Sequence, residues 1–493
     1  MKKGILILTA LLFTGTLLSF PAAAQKSRTS DYRKYAKIIR EKIYSTYRDY
    51  CREPGGHLPF PFIVPGGAQY GNVLWDWDSW LSDIAIHQAA ADQGGKALKE
   101  IADYEKGCVL NFLRYSGIDG WVPVNISMDA GTQKPEDIYK ENMHKPCLAQ
   151  HAAFIVQQNG GDAEWLRDEF FRLEYFVGGY VNRYRHRATG LYFWQTDVMI
   201  GVDNDPCTYF RPDRSSGSIF LNCMMYKELR AMEYLAGRLD LQELAAEYAR
   251  NADDLKAAVQ EHCWDERDGF FYSVDLNLRP VSIEKEPYHG GAPRTWDCLI
   301  QRIGVWSGFL AMWADIATPE QAERMVREHF SDERTFNAPY GVRTLSKMEK
   351  MYSLKASGNP STWLGPIWGV SNYLTWRGLV KYGFKEEAQE LASKTIALFG
   401  RDYERTGRAA RILPALERRT DPQSGLPELE YAGHQHAQLD GRQTGRGGVL
   451  IRRTAQTAAH RALHTARRAS GTPVRKLFPY GTTSRSGIAP AGR

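Results

Sequence analysis

The chain has 493 residues and a formal net charge of +6, from 63 Lys and Arg against 57 Asp and Glu. The surplus is local. Residues 408–493 carry 15 basic against 5 acidic side chains, which leaves about −4 for residues 1–407, so nucleic-acid binding by the main body has no support. The seven cysteines (Cys51, Cys108, Cys147, Cys207, Cys223, Cys263, Cys298) show no paired metal-ligand spacing. A structural zinc is not expected, no other metal or cofactor is called for, and most of the thiols should be free and buried.

Residues 1–24 read as a secretory signal peptide. Lys2 and Lys3 precede an apolar run from Ile5 to Phe20, and Pro21-Ala22-Ala23-Ala24 offers small residues for cleavage before Gln25. The mature chain is expected to be soluble and exported, to a bacterial periplasm. No later segment reaches the ~18 apolar residues of a membrane span, so no membrane partner is expected.

From Asp31 to Tyr50, apolar and aromatic residues fall at Tyr32, Tyr35, Ile38, Ile39, Ile43 and Tyr47, the stripe of an amphipathic helix. Similar stripes predict helices over Trp80–Ala91, Ala97–Leu113, Cys147–Gln158, Ala163–Tyr184, Ser218–Ala236 and Leu241–His262. Further ones run over Val305–Ile316, Pro319–Phe330, Asn372–Tyr382 and Lys385–Phe399. Few runs show a convincing strand period of two, and Gly269–Val274 is a candidate for a short strand. Long and short loops alternate, as expected when helices pair in hairpins and the long loops gather at one end. About a dozen helices with no linker between them point to an all-α closed ring of helical hairpins, an (α/α)6 toroid, over residues 25–407.

All 13 tryptophans lie between Trp75 and Trp376, often beside Asp, Gly or Pro. Most should be plain packing. Indole rings interleaved with carboxylates also suit sugars, because the ring stacks on C–H faces while carboxylates accept hydroxyl hydrogen bonds. The densest polar loop is Gly201-Val202-Asp203-Asn204-Asp205-Pro206, with Trp194 upstream. Taken by spacing alone it is an ordinary turn, since Asp and Asn favour turns and caps. Beside aromatic walls, a carboxyl there could work as a general acid.

Four motifs in order carry a family resemblance over approximately residues 70–407. They are Leu74-Trp75-Asp76-Trp77-Asp78-Ser79-Trp80, the Gly201–Pro206 loop, Phe336-Asn337-Ala338-Pro339-Tyr340-Gly341, and Trp363-Leu364-Gly365-Pro366-Ile367-Trp368. In these the chain resembles the family 63 glycoside hydrolases and their mannosylglycerate-hydrolase-like and trehalase-like relatives. The resemblance implies an inverting hydrolase of an α-linked glucoside or mannoside, with a carbohydrate as its partner and Asp203 as general acid. It implies a sugar subsite from Trp75, Trp77, Asp78, Asn204, Trp363, Gly365 and Trp368, with His144 and Lys145 as weaker members. Asp205 stands where the family has Ser, either to raise the Asp203 pKa or to face solvent. Leu364 replaces an Arg, which removes one polar contact.

The family's general base, a Glu in a Glu-Tyr-Tyr segment, and the Gly-Phe-x-x-Trp opening of its last helix are both missing. After Gly407 there is no Trp, and Tyr431, Phe478 and Tyr480 are the sole aromatics. Residues 408–493 therefore read either as a disordered basic tail or as out-of-frame translation. Codons allowed for Arg408–Gly433, read one base later, permit Ala-Leu-Arg-Glu-Tyr-Tyr-Pro-Pro-Trp-Asn-Gly-Glu-Pro and then Gly-Phe-Leu-Asn-Trp. That restores the missing motifs in order, and the frameshift is the reading favoured here. It predicts a missing base, with Glu404, Glu417, Glu428 and Glu430 unassigned to that role. It also predicts a missing closing helix, with apolar surface left bare on the first and penultimate helices. The competing class is a non-catalytic carbohydrate-binding protein that keeps the aromatic pocket.

Overall fold

The computed structural model describes residues 22–66, 70–129, 142–209, 211–278, 296–355, 361–407 and 412–413. The expected leader, up to residue 21, and the tail after Gly407 apart from Ile412–Leu413 lie outside the described residues.

Eleven helices in the described residues form the body. In chain order they are α1 (Ala22–Thr46), α2 (Asp76–Gln93), α3 (Gly95–Leu113), α4 (Leu148–Gln158), α5 (Phe170–Arg183) and α6 (Ile219–Arg238). They continue as α7 (Gln242–Cys263), α8 (Leu310–Trp313, entered through a tight turn Trp306–Phe309), α9 (Pro319–Met325), α10 (Gly369–Tyr382) and α11 (Lys385–Thr406). Strands in the described residues are two or three residues long and form small ladders between the helices. Each sequence stripe contains a helix, but the bounds shift: α2 begins four residues earlier than its stripe and takes in the Trp-Asp motif, α1 begins at Ala22, and the stripes Ala163–Tyr184, Val305–Ile316 and Pro319–Phe330 are α-helical only over Phe170–Arg183, Leu310–Trp313 and Pro319–Met325.

Burial sorts the helices into two rings. Helices α2, α4, α6, α8 and α10 are buried nearly all round, as inner elements must be. In α3, α7 and α11 one apolar stripe is buried and the other face meets solvent. Each inner helix packs on the next in the order α2, α4, α6, α8, α10, while α2–α3, α6–α7 and α10–α11 are the hairpins. This is the architecture of an (α/α)6 toroid. Among the described residues no sixth inner helix stands between α10 and α2.

Helix α1 packs chiefly on α11, where the approach is close enough that a Cβ on Gly400 would lie 2.4 Å from the Tyr35 Cβ. Tyr32, Tyr35, Ile39, Leu391, Ile396 and Phe399 are buried. The expected bare apolar surface on the first and penultimate helices is therefore not observed, because the two cover each other.

Local chemistry fixes the inner helix starts at one end of the ring. Trp75 is extended (φ −104°, ψ 154°), and Asp76 and Asp78 fill the first turn of α2, where the helix dipole favours negative charge. Ser218 caps α6 by accepting from the Leu221 N–H at 3.4 Å. Helix α4 is capped from outside its own segment: Glu228 on α6 accepts the Ala149 and Gln150 N–H groups at 2.6 and 3.1 Å. Burial nonetheless pushes the Glu228 carboxyl up to about 8.

The strand expected over Gly269–Val274 divides in two. Phe270–Phe271 pairs with Trp264–Asp265, whereas Val274–Asp275 joins Ser216–Gly217 and Leu299–Ile300. The chain changes partner between them, where the Tyr272 N–H still reaches Cys263 and the Ser273 hydroxyl accepts from Ile219.

Behind the inner ring lies a buried polar chain that sequence reading missed. His151 Nε2 meets Asp83 Oδ2 at 2.8 Å, and His87 Nδ1 meets Glu105 Oε1 at 2.7 Å. Burial raises both carboxyls to about 7 and lowers His151 to about 3; His87 is raised, its bond and charge contact with Glu105 outweighing burial. Between the ordinary carboxylate range and pH 7, the unfolded chain has released both carboxyl protons while the folded chain still holds them. Stability is therefore expected to fall as pH rises through this interval, by up to ~1.4 kcal/mol per pH unit for each proton so held. His151 opposes the fall below its ordinary pKa of roughly 6.5, where its unfolded imidazole is charged and its buried one is not. The steepest loss should come just above that point, and it should level off once the folded carboxyls have ionised. Thermal midpoints across this range should show a shallower fall in Glu105→Gln than in the wild type. Parallel slopes would count against the Asp83 and Glu105 carboxyls as the source of the fall.

Candidate active site

The starts of the inner helices bring the distant tryptophan motifs together. Trp77, in the first turn of α2, has its ring 6.5 Å from Trp363 and 5.7 Å from Phe220 at the start of α6. Trp363 stacks on Trp368 at 4.1 Å and on Trp306 at 5.9 Å, and Phe220 touches both Trp306 and Trp194 at 6.2 Å. Trp306 and Phe220 belong to none of the four motifs, and along the chain Trp194 is only an upstream neighbour of the polar loop. Trp75 stands apart from this wall, edge-on to Tyr70 at 5.8 Å. Asp78 is buried one residue beyond Trp77.

The Gly201–Pro206 loop is pinned to this wall from both sides. At Gly201 (φ 87°) an added Cβ would lie 2.6 Å from Lys145 Cε and 3.1 Å from the Trp77 ring, so only glycine lets the loop approach. On the far side, Asn204 Oδ1 accepts the Trp363 N–H at 2.8 Å and its amide donates to the Thr362 hydroxyl at 3.3 Å. Asn204 adopts a left-handed conformation (φ 52°) to do so. It is a clamp between two segments 159 residues apart. Asp203 stands between the two pins, partly exposed.

Replacing Asn204 with Ala is expected to cost about 1–3 kcal/mol by leaving the Trp363 N–H unpaired. The check is urea unfolding followed by tryptophan fluorescence. An unchanged midpoint would show that the clamp is not stabilising.

Lys145 is a nearly fully buried cation. Its ammonium meets Asp76 Oδ1 and Oδ2 at 2.9 and 2.8 Å, and its backbone N–H adds a third bond to the same carboxylate at 3.0 Å. The ammonium also lies 5.6 Å from the Trp77 ring centroid. The pair ties the Trp-Asp motif to the segment before α4. Sequence reading named Lys145 but not its partner.

Three expectations change. His144 was expected among the polar ligands, but its ring is packed edge-on by Phe112 at 4.5 Å and Phe176 at 5.5 Å, and its Nδ1 is bonded to the Lys145 carbonyl at 2.6 Å. Burial lowers it to about 4, which keeps it neutral, so its work is packing. Asp205 does not face solvent. It is buried, accepts the Cys207 N–H at 3.0 Å, and desolvation raises it to about 6. Gly365 serves the backbone: its N–H goes to the Thr344 hydroxyl at 3.1 Å, and at φ 138° a Cβ would strike Tyr352 at 2.5 Å.

The described cysteines are all free, five of them buried. Among the described residues no group of three or more His, Cys, Asp or Glu side chains is placed to hold a metal, and no helix is long and apolar enough to cross a membrane.

The family model for the mannosylglycerate hydrolase MGH1-like glycoside hydrolase domain matches residues 72–408. The chain belongs to this family of hydrolases. Among solved structures it is similar to the mannosylglycerate hydrolase of Thermus thermophilus in complex with glucose. That match has a TM-score of 0.57 at 18% identity over 81% of this chain and 100% of the other. It is also similar to neutral trehalase from Saccharomyces cerevisiae, with a TM-score of 0.57 at 15% identity over 78% and 74% of the two chains. Both likenesses concern the fold. By sequence it is 25% identical over 196 residues to the cytosolic neutral trehalase of Kluyveromyces lactis, covering 38% of this chain but only 23% of that protein. A protein of Borreliella burgdorferi is 24% identical over 337 residues, 63% of this chain and 64% of its own length. The chain thus spans about a quarter of the trehalase it matches. Within the family match, the wall of indoles and its pinned acidic loop occupy the end of the ring where the inner helices begin.

Proposed function

We propose that this chain derives from an exported inverting O-glycosidase acting on an α-linked glucoside or mannoside, with Asp203 as the general acid. On this reading, out-of-frame translation after Gly407 has removed the general base. The observation that carries the proposal is the double pinning of the Asp203 loop, to Trp77 through Gly201 and to Trp363 through Asn204. A loop so held keeps a fixed place beside the aromatic wall, and the wall is suited to stacking a pyranose while a proton passes from the loop's carboxyl to the leaving oxygen.

Inversion requires a second carboxyl roughly 6.5–9.5 Å away, with a water between. Asp205 is a poor candidate, since it is buried and committed to the Cys207 N–H. In the restored frame Glu-Tyr-Tyr falls on positions 411–413, and the last two of these form the strand Ile412–Leu413 that pairs with Ile367–Trp368. This supports the restored Glu as the base, entering the fold directly before a strand that borders Trp368. Export rests on the leader alone.

A gene with the frame restored should release sugar from an aryl α-glucoside, an aryl α-mannoside, trehalose or mannosylglycerate, with the β-anomer appearing first by NMR. First release of the α-anomer would rule out inversion. For the chain as it stands, the absence of the base motif beside a packed indole wall favours the second reading, a carbohydrate-binding protein without turnover. Calorimetry with the same sugars should then show binding and no released product.

A further inference from the structure

The indole wall is a stack drawn from two parts of the chain. Trp363 is its middle member, at 4.1 Å and 12° from Trp368 and at 5.9 Å and 26° from Trp306. Trp363 and Trp368 flank the short turn Leu364-Gly365-Pro366-Ile367, whereas Trp306 comes from the turn that enters α8. Dispersion between ring faces is weak for each atom pair and does not by itself fix how far one ring slides over another. Hydrogen bonds, which are directional, can do so.

Thr344 is bonded to both parts. Its carbonyl accepts the Trp306 N–H at 3.0 Å, and its own N–H reaches the Pro366 carbonyl at 3.3 Å. Its hydroxyl donates to that same carbonyl at 2.9 Å and accepts the Gly365 N–H at 3.1 Å. The Thr344 side chain is buried, and it satisfies a donor and an acceptor in the middle of the turn that folds Trp368 back onto Trp363. Next along the chain, Leu345 opposes Val305 across a bridge, beside Trp306. From the turn the contacts run on towards the acidic loop. Trp368 donates its indole N–H to the Thr362 carbonyl at 2.9 Å, and the Trp363 N–H goes to Asn204, next to Asp203.

We propose that Thr344 is a positioning residue of the sugar site: its hydroxyl sets the offset of the Trp306, Trp363 and Trp368 rings and, through Trp363 and Asn204, the place of the Asp203 loop. It acts through these residues and not on the substrate itself. The turn offers one N–H and one carbonyl to the same side chain, and a hydroxyl both accepts and donates. A valine of the same shape can do neither, and the Gly365 N–H would be left unpaired. The turn would then relax, moving Trp363 and the Asn204 clamp with it. The effect on sugar binding rests on the glycosidase reading above, whereas the effect on the stack does not.

The test reads the stack in the full chain. Indoles in face contact give an exciton couplet in far-ultraviolet circular dichroism, assigned to this stack by its loss in Trp368→Phe. Thr344→Val should lose most of the couplet while keeping its helical signal. Calorimetry of the same variant with trehalose or mannosylglycerate should show affinity weakened by about ten-fold. Thr344→Ser, which keeps the hydroxyl, should retain both. A couplet unchanged in Thr344→Val, or lost equally in Thr344→Ser, would overturn the proposal, as would a wild type without the couplet. A lost couplet with undiminished affinity would confine Thr344 to a structural role and overturn its part in the sugar site. Should Thr344→Val fail to fold, Thr344→Ala carries the same expectation. A wild type that shows the couplet but binds neither sugar would count against the glycosidase reading, while the spectra of the variants still decide whether Thr344 sets the stack.

Discussion

Lys145→Met is expected to destabilise the fold by about 3–5 kcal/mol, the usual cost of leaving one member of a buried ion pair without its partner. The Lys145 and Asp76 side chains are 2% and 0% exposed, so water cannot take over the role of the lost ammonium. Asp76 would keep one bond, from the Lys145 N–H, but carry an uncompensated charge in the first turn of α2. The double variant Lys145→Met, Asp76→Asn should recover much of the loss, because the charge and the need for its partner vanish together. Urea midpoints of the two single variants and the double variant measure this coupling. If the double variant is as unstable as the sum of the singles, the pair is not coupled and this account of the site's foundation fails. The loss should also reach the sugar end, since Trp77 and Gly201 both rest against Lys145.

Asp203→Asn, placed in the frame-restored enzyme, is expected to lower kcat/KM on unactivated α-glycosides by roughly 10²–10⁴-fold, the contribution of a positioned proton donor. The amide matches the carboxyl in shape but has no proton to give the leaving oxygen. The deficit should shrink for a dinitrophenyl glycoside, whose leaving group departs without protonation. Equal deficits on both substrates would indicate a binding or folding role and remove Asp203 from the acid position. Fold integrity can be judged separately, because Asn204 and Gly201 rather than Asp203 hold the loop.

Much of this was legible in the sequence because it is local. The helical spacing of Tyr32, Tyr35, Ile39 and Ile43 marks α1 without any knowledge of its partner, whereas the stripe beginning at Trp80 misses the first turn of α2, which Asp76 and Asp78 fill. The Trp-Asp and Gly-x-Asp-Asn motifs name a chemistry by residue type alone. His144 shows where that approach ends. Its polar neighbours along the chain suggest a ligand, but its neighbours in space are Phe112 and Phe176. Asp205 fails in the same way, because the backbone N–H it accepts becomes available only once the loop has turned.

The sequence by itself determined the helical periodicity, the hairpin order and the indole and carboxylate motifs, since each depends on residues within a few positions of one another. Only the tertiary structure decided that Asn204 clamps Trp363, that Lys145 neutralises Asp76, and that His151 and His87 serve Asp83 and Glu105. Those outcomes depend on which buried groups meet across the inner ring. In a low-dielectric interior, a polar group's role is set by the partner it finds there and not by its neighbours along the chain.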